Sequence, residues 1–250
     1  MIPRLFAPIG FTVDTVVALD AATAHHALRV LRLGAGATVS LFDGRGHAAR
    51  AVIVETAPCR VRIQAVRDTP PPASPRLALA QCLSSADRMD WTIEKAVELG
   101  VSRIAPLQSR KSVVRLDAAR AARRREHWQR LIVAACAQSG QDWLPCLDEL
   151  APLPAWLARA AESGQDRSLR LVLAPGADRS LASLLDEPTT ALPATVWLLC
   201  GPESGFADEE LAQARDCGWV AAGLGPRVLR TETAGLAALA VVQARWGDLR

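Results

Sequence analysis

Lysine is almost absent: Lys95 and Lys111 are the only two in 250 residues, so the basic side of the chain is nearly all arginine, a bias that a GC-rich genome also gives. Long apolar runs are missing as well. The longest, such as Val196 to Cys200, fall far short of the roughly 20 residues a membrane span needs, which predicts no membrane partner. The start, Met1 to Gly10, lacks the basic-then-apolar layout of a secretory signal, so a cytoplasmic location is expected. No two of the six cysteines have the spacing of a zinc knuckle or a redox pair; ordinary buried thiols are expected. His25-His26 has no acidic or cysteine companions at ligand spacing, so no metal is predicted. No internal repeat is present.

What is there argues for a folded chain. Half the residues are hydrophobic and the net charge is only +3, so burial can offset the ordering entropy. The charge is uneven. Residues 103–130 hold nine basic side chains against two acidic ones, whereas residues 131–250 are acidic. The basic block includes Arg103, Arg110, Lys111, Arg115, Arg120, Arg123, Arg124, Arg125 and Arg130, a density that suits nucleic acid. A solvated helix face is the plainer alternative.

Residues 36–54 alternate around Asp43-Gly44-Arg45-Gly46, a hairpin signal, and Arg60 to Val66 reads as another strand. Residues 1–68 therefore form a small β-rich domain, and the proline-rich stretch 69–75 a semi-rigid linker. From 76 to 250 the rhythm is α/β, with short apolar runs at Leu77 to Leu83, Ile104 to Leu107, Leu169 to Ala174 and Val196 to Cys200. Asp87 is expected to cap a helix that Gly100 ends, and a second helix is expected from about Asp117 to Ser139, with Trp128, Leu131, Ile132 and Ala135 inward.

Two loops invite a ligand. Thr195 to Cys200 runs into Gly201-Pro202-Glu203-Ser204-Gly205-Phe206, and Trp219 to Leu224 runs into Gly225-Pro226-Arg227-Val228-Leu229-Arg230 with Thr231 as the expected cap of a final helix. Neither loop has dinucleotide or Walker spacing. A tight turn without a ligand is the plain alternative for the first, and surface salt bridges for Glu203, Arg227, Arg230 and Glu232.

Over almost its whole length the chain resembles the 16S ribosomal RNA uracil-N3 methyltransferases of the SPOUT, or α/β-knot, superfamily. The likeness rests on Arg4-Leu5-Phe6, His25-His26 with Val30-Leu31-Arg32, and Asp43-Gly44-Arg45-Gly46 in the first part. In the second it rests on Arg88-Met89-Asp90-Trp91 through Lys95, Glu98-Leu99-Gly100-Val101, Gln138-Ser139-Gly140, Gly201-Pro202-Glu203 and the string Leu224 to Ala234. The resemblance implies an α/β protein: an N-terminal PUA-like RNA-binding β-barrel, then a SPOUT α/β domain with a C-terminal trefoil knot. It also implies a homodimer that uses S-adenosyl-L-methionine on 16S ribosomal RNA or the small ribosomal subunit. The departures are Ser204 in a loop that usually reads Gly-Pro-Glu-Gly-Gly, Ser85, Arg110-Lys111 and Gln141.

By that resemblance Leu173, Leu199, Gly201, Pro202, Glu203, Gly205, Leu224, Gly225, Arg227, Val228, Leu229 and Thr233 hold the cofactor. Arg4, His26, Arg29, Arg32, Arg45, Arg88, Arg123 and Arg124 meet RNA. Arg230 or Arg227 stabilises the uracil anion, and Glu232 either orients that arginine or accepts the N3 proton. Two rivals stand beside this reading: a non-catalytic ribosomal RNA-binding or assembly factor on the same fold, and an unrelated nucleotide-using α/β enzyme.

Overall fold

Residues 2–72, 75–162, 167–187 and 191–249 are described by the structure, a computed structural model; Ala73 and Ser74 of the expected linker lie outside them. One compact unit is Met1–Pro72 with Val133–Leu144, the other Ala73–Ile132 with Pro145–Arg250. In the first, β1 (Arg4–Phe6), β2 (Val16–Ala18), β3 (Thr38–Phe42), β4 (His47–Thr56) and β5 (Cys59–Asp68) form one sheet in the order β1-β3-β4-β5-β2. Only β1 and β3 run parallel. The expected hairpin joins β3 to β4, with Gly44 and Gly46 at positive φ in its turn. Alternation sends Leu5, Val39, Leu41, Ala51, Ile53, Val61 and Ile63 into one core, closed by α1 (Ala21–His25) and a π-helical turn, His26–Val30. Asp20 starts α1 by accepting the N–H groups of Ala22 and Thr23 at 2.9 and 3.0 Å.

The boundary expected within 69–75 gives only part of the division, because residues 133–144 belong with the first unit. The reason is Asp142, whose side chain is 2% exposed. Its carboxylate takes Arg4 at 2.9 Å, Arg67 at 2.6 Å and the Thr69 hydroxyl at 2.6 Å. Trp143 adds its indole N–H, shared between the carbonyls of Thr69 and Pro70 at 3.0 Å each. The first residues of the expected linker are therefore pinned, not free.

In the second unit, β6 (Arg76–Cys82), β7 (Arg103–Gln108), β8 (Cys146–Leu147), β9 (Ala151–Pro152), β10 (Ser168–Leu173), β11 (Thr195–Cys200) and β12 (Val220–Ala222) make a wholly parallel sheet. The order is β12-β10-β11-β6-β7-β8, with β9 also on β7. Near-continuous burial along β6, β7 and β11 fits strands covered on both faces. The helices are α2 (Ala86–Glu98), α3 (Ala118–Ser139), α4 (Leu153–Glu162), α5 (Leu181–Leu185), α6 (Asp208–Asp216) and α7 (Thr231–Trp246).

Asp87 does not cap α2: Ser85 holds the N-cap position without a side-chain bond, and Asp87 lies in the first turn, where a carboxylate favours the helix dipole. Gly100 does end it, at φ +76 and packed against Gln243, whose amide donates to Leu99 O at 2.8 Å. In α3, Trp128, Ile132 and Ala135 are buried as expected, while Leu131 is only half-buried. Asp117 accepts the Arg120 N–H at 2.8 Å and opens the helix. Asp90 of α2 holds His127 at 2.7 Å and the Trp128 indole at 3.1 Å.

After β12 the chain threads against an earlier loop. Gly223 donates to Arg179 O at 2.9 Å and accepts from Leu181 N at 2.8 Å, and the chain then runs on to α7, which packs on β6, β11, α2 and α5. This crossing belongs to the knot that the resemblance implies, a rare exception to unthreaded topology.

Asp142→Ala leaves Arg4, Arg67 and Thr69 without their shared acceptor. A loss of about 2–3 kcal/mol in the first unit's stability is expected by urea denaturation, and a change below about 0.5 kcal/mol would contradict this account.

Candidate ligand-binding and catalytic site

The loops at the carboxyl ends of β10, β11 and β12 enclose a pocket of about 640 Å³, within the range of small-molecule sites. Strands β10, β11 and β12 end side by side, the place where open parallel sheets take ligands. The walls are apolar: Leu173, Ala174, Pro175, Leu211, Ala222, Leu224, Val228 and Leu229. Cys200 adds a thiol that burial pushes up to about 11, so it stays neutral. At the mouth stand Arg88, Glu203, Arg227 and Arg230.

Thr231 joins the two loops. Its hydroxyl donates to Gly201 O and accepts from Gln81 Nε2 at 2.9 Å, with Gln81 fully buried on β6. Thr231 is therefore the first residue of α7; the N-cap position belongs to Arg230. A capping hydroxyl would accept from the helix N–H groups; here the Thr231 oxygen instead accepts from Gln81, and its proton goes to the loop carbonyl.

The segment between β12 and α7 is held at its ends and left open between. The N–H groups of Leu224, Gly225, Arg227, Val228, Leu229 and Arg230 donate to no protein group among the described residues. Gly225 has φ +97 and open space where a Cβ would stand, so backbone can approach a ligand closely. Val228 is 79% exposed, an uncommon position for a branched apolar side chain.

Three charged side chains interlock at the pocket mouth. Arg88 Nη1 lies 3.1 Å from Glu203 Oε1, and Arg88 Nε lies 3.5 Å from Glu232 Oε1. Glu203 also accepts the Ser85 N–H at 3.2 Å. Glu232 Oε2 is buried with no partner. Arg227 and Arg230 are exposed, and among the described residues neither guanidinium has an acceptor, so both are available to a substrate.

Of the expected cofactor residues, Leu173, Gly201, Pro202, Glu203, Gly205, Leu224, Gly225, Arg227, Val228 and Leu229 line this pocket. Leu199 does not, because its side chain is 1% exposed in the core beneath. Nor does Thr233, an exposed residue one turn into α7. Glu232 pairs with Arg88, and no ion pair joins it to Arg227 or Arg230 among the described residues. Arg88 itself, expected on RNA, is engaged by the two carboxylates.

Arg4 is likewise committed to Asp142, whereas His26, Arg29, Arg32 and Arg45 are exposed on the first unit. Arg123 is exposed and Arg124 half-buried on α3. Sequence reasoning missed Ala174, Pro175, Cys200, Phe206, Leu211, Ala222 and Ala234 as lining residues. Cys200 and Ala222 could have been found as the last residues of strands that end at the loops already singled out.

Ser204 does not adopt a positive φ, which falls to Gly205 at +71. Its hydroxyl instead donates to Lys111 O at 2.6 Å, and Lys111 Nζ reaches Phe206 O at 3.0 Å. Arg110 N–H donates to the buried Glu210 carboxylate at 2.7 Å. The Ser204 hydroxyl and the Lys111 ammonium thus brace one loop together, whereas the bond at 110 is made by the backbone.

A parallel sheet with an apolar pocket at its strand ends defines an α/β domain that takes a small molecule. Residues 71–243 match the model of an RNA methyltransferase domain and residues 19–64 that of an RNA methyltransferase PUA domain, and the chain belongs to this family. Ribosomal RNA small subunit methyltransferase E of Mycobacterium bovis is 31% identical over 246 residues, covering 94% of this chain and 92% of that protein. The crystal structure of ribosomal RNA small subunit methyltransferase E from Neisseria gonorrhoeae bound to S-adenosyl methionine has TM-score 0.88 at 32% identity, covering 100% of both chains. A Legionella pneumophila methyltransferase solved with bound SAM has TM-score 0.86 at 31% identity, covering 98% of each chain.

Thr231→Val removes the donor to Gly201 O and the acceptor of Gln81. A loss of about 1–3 kcal/mol is expected in denaturant melts, with Thr231→Ser near wild type; a loss in Thr231→Ser with Thr231→Val near wild type would assign the effect to the methyl group instead.

Proposed function

We propose that this chain transfers a methyl group from S-adenosylmethionine to N3 of a uridine in 16S ribosomal RNA of the small subunit. The observation that carries the reading is the row of open amides from Leu224 to Arg230 beside an apolar pocket with Glu203 and Glu232 at its edge. Aliphatic walls suit a purine, free backbone groups suit its polar edge, and carboxylates suit a cationic amino-acid sulfonium. The residues present therefore fit the cofactor, and Leu173, Gly201 to Gly205 and Leu224 to Leu229 would hold it.

When bound, the cofactor supplies an electrophilic methyl group on its sulfonium. Uracil N3 carries a weakly acidic proton, and charge spreads to the ring oxygens once that proton leaves. Arg230 and Arg227 meet that charge with guanidinium groups not drawn into any ion pair of the site. Glu232 Oε2 accepts the N3 proton directly or through one water, while Arg88 fixes the other oxygen. Geometry matters as much as the base, because attack needs the ring held near the methyl carbon.

His26, Arg29, Arg32 and Arg45 on the first unit, with Arg123 and Arg124 on the second, supply RNA contacts, mostly to phosphate and shape. The working form is a homodimer. Leu236, Ala237, Ala240 and Val241 make a half-exposed apolar stripe along α7, and Trp91 on the neighbouring α2 is 54% exposed. Among the described residues no helix is long and apolar enough to cross a membrane, and the cytoplasm, where ribosomal RNA lies, is the proposed location.

Calorimetry with S-adenosylmethionine should show one site per chain, and labelled methyl should appear on small-subunit RNA. Binding of RNA without binding of the cofactor would instead make this an assembly factor. Arg230→Ala and Glu232→Gln should each slow single-turnover transfer by about 100-fold or more. Near-normal rates in both would remove those roles. Val241→Arg should halve the mass seen by light scattering; a monomeric wild type would overturn the dimer.

A further inference from the structure

The outer face of the first unit's sheet carries arginines that neither the core nor the pocket accounts for. Along β4 and β5, Ala51, Ile53, Val61 and Ile63 enter the core, whereas Arg50, Arg62 and Gln64 alternate to the opposite face and are exposed. Register places Val52 and Val16 on either side of Arg62, and Ser40 and Ala65 on either side of Arg50. Arg60, two residues before Arg62, lies 3.5 Å from Glu55, both side chains being about half exposed (51% and 43%). No ion pair involving Arg50 or Arg62 is present among the described residues.

The same face is treated differently at its β1 end. There Phe42 and Ala48 are buried, and Arg4 lies 4.9 Å over the Phe42 ring while bonded to Asp142. The segment that brings Asp142 thus covers the apolar part of the face. The arginine part is left bare.

The chemistry of that bare part selects its partner. A protein interface is anchored by buried aromatic or large apolar groups, and here the side chains between the arginines are Val16, Val52 and Ala65. A single strand bound through its bases needs rings to stack on, and the exposed part of the face presents none. Arg62 faces Val52, two residues from Arg50, so the two arginines stand diagonally on adjacent strands; a spacing of about 7–8 Å there, and about 7 Å from Arg60 to Arg62 along one strand, suits an array of phosphates.

We infer that the outer face of β4, β5 and β2, through Arg50 and Arg62 with Arg60 beside them, docks on the phosphate backbone of a folded ribosomal RNA segment. The inference rests on the proposed action on ribosomal RNA and adds a surface separate from the α1 and hairpin residues assigned to RNA above. Such contacts set register and orientation and leave sequence selection to other residues.

The test is the salt dependence of binding to protein-free 16S ribosomal RNA and to purified small subunits, for wild type and the Arg50→Gln/Arg62→Gln double variant. Both positions are exposed, so the melting temperature and the calorimetric affinity for S-adenosylmethionine should not change. The double variant should bind both forms of RNA at least tenfold more weakly at moderate salt, with the log–log salt slope smaller by about two. Wild-type affinity and slope in the double variant would overturn the inference and leave the proposed function standing. Weakened binding to small subunits with unchanged binding to free RNA would also overturn it, assigning the face to a ribosomal protein. Failure of the wild type to bind either form would overturn the proposed function together with the inference.

Discussion

One hydroxyl holds the site together. Thr231 gives its proton to Gly201 O and receives one from Gln81, so three segments far apart in sequence meet at a single buried oxygen. Its position follows from the fold: β6 and β11 are neighbours, and α7 begins where the threaded chain emerges across their ends. In an apolar surrounding each of these bonds is costly to leave unmade, so the loops are fixed relative to one another more firmly than their own turns would allow. The pocket is the space that remains.

Above that point the charges are arranged by pairing. Arg88 lies between Glu203, on the loop after β11, and Glu232, in the first turn of α7, and holds both beside α2. Two carboxylates sharing one guanidinium leave negative charge on one side of the mouth, while Arg227 and Arg230 put positive charge on the pocket's other lining. The negative side favours a cationic ligand, while the free Arg227 and Arg230 favour an anionic one from outside. The two halves of the mouth are therefore prepared for reactants of opposite sign.

Much of this was legible in the sequence. The parallel sheet showed as apolar runs because its strands are covered on both faces, and the hairpin showed through Asp43-Gly44 because few other residues accept that turn. The ligand loops showed as glycine-bearing breaks after such runs. Pairing was not legible. Arg4 and Arg88 look like any other arginines on paper, and their commitment to Asp142 and to the two glutamates depends on segments 138, 115 and 144 positions apart. The assignment of 133–144 to the first unit was hidden for the same reason, since it rests on one aspartate and one tryptophan beyond the end of a long helix. The local pattern suggests Thr231 as a cap, but its oxygen accepts from Gln81, 150 positions away, and Arg230 holds the N-cap position.

The open amides between Leu224 and Arg230 have a further meaning. A stretch whose backbone groups find no protein partner relies on water, and water holds a loop less firmly than a carbonyl does. A small molecule that satisfies those groups also stiffens the segment that carries Arg227 and Arg230. Filling the pocket and ordering the arginines are then one equilibrium, and an RNA that arrives first meets a softer surface than one that arrives second. An order of assembly is written into the protein by hydrogen bonds it does not make.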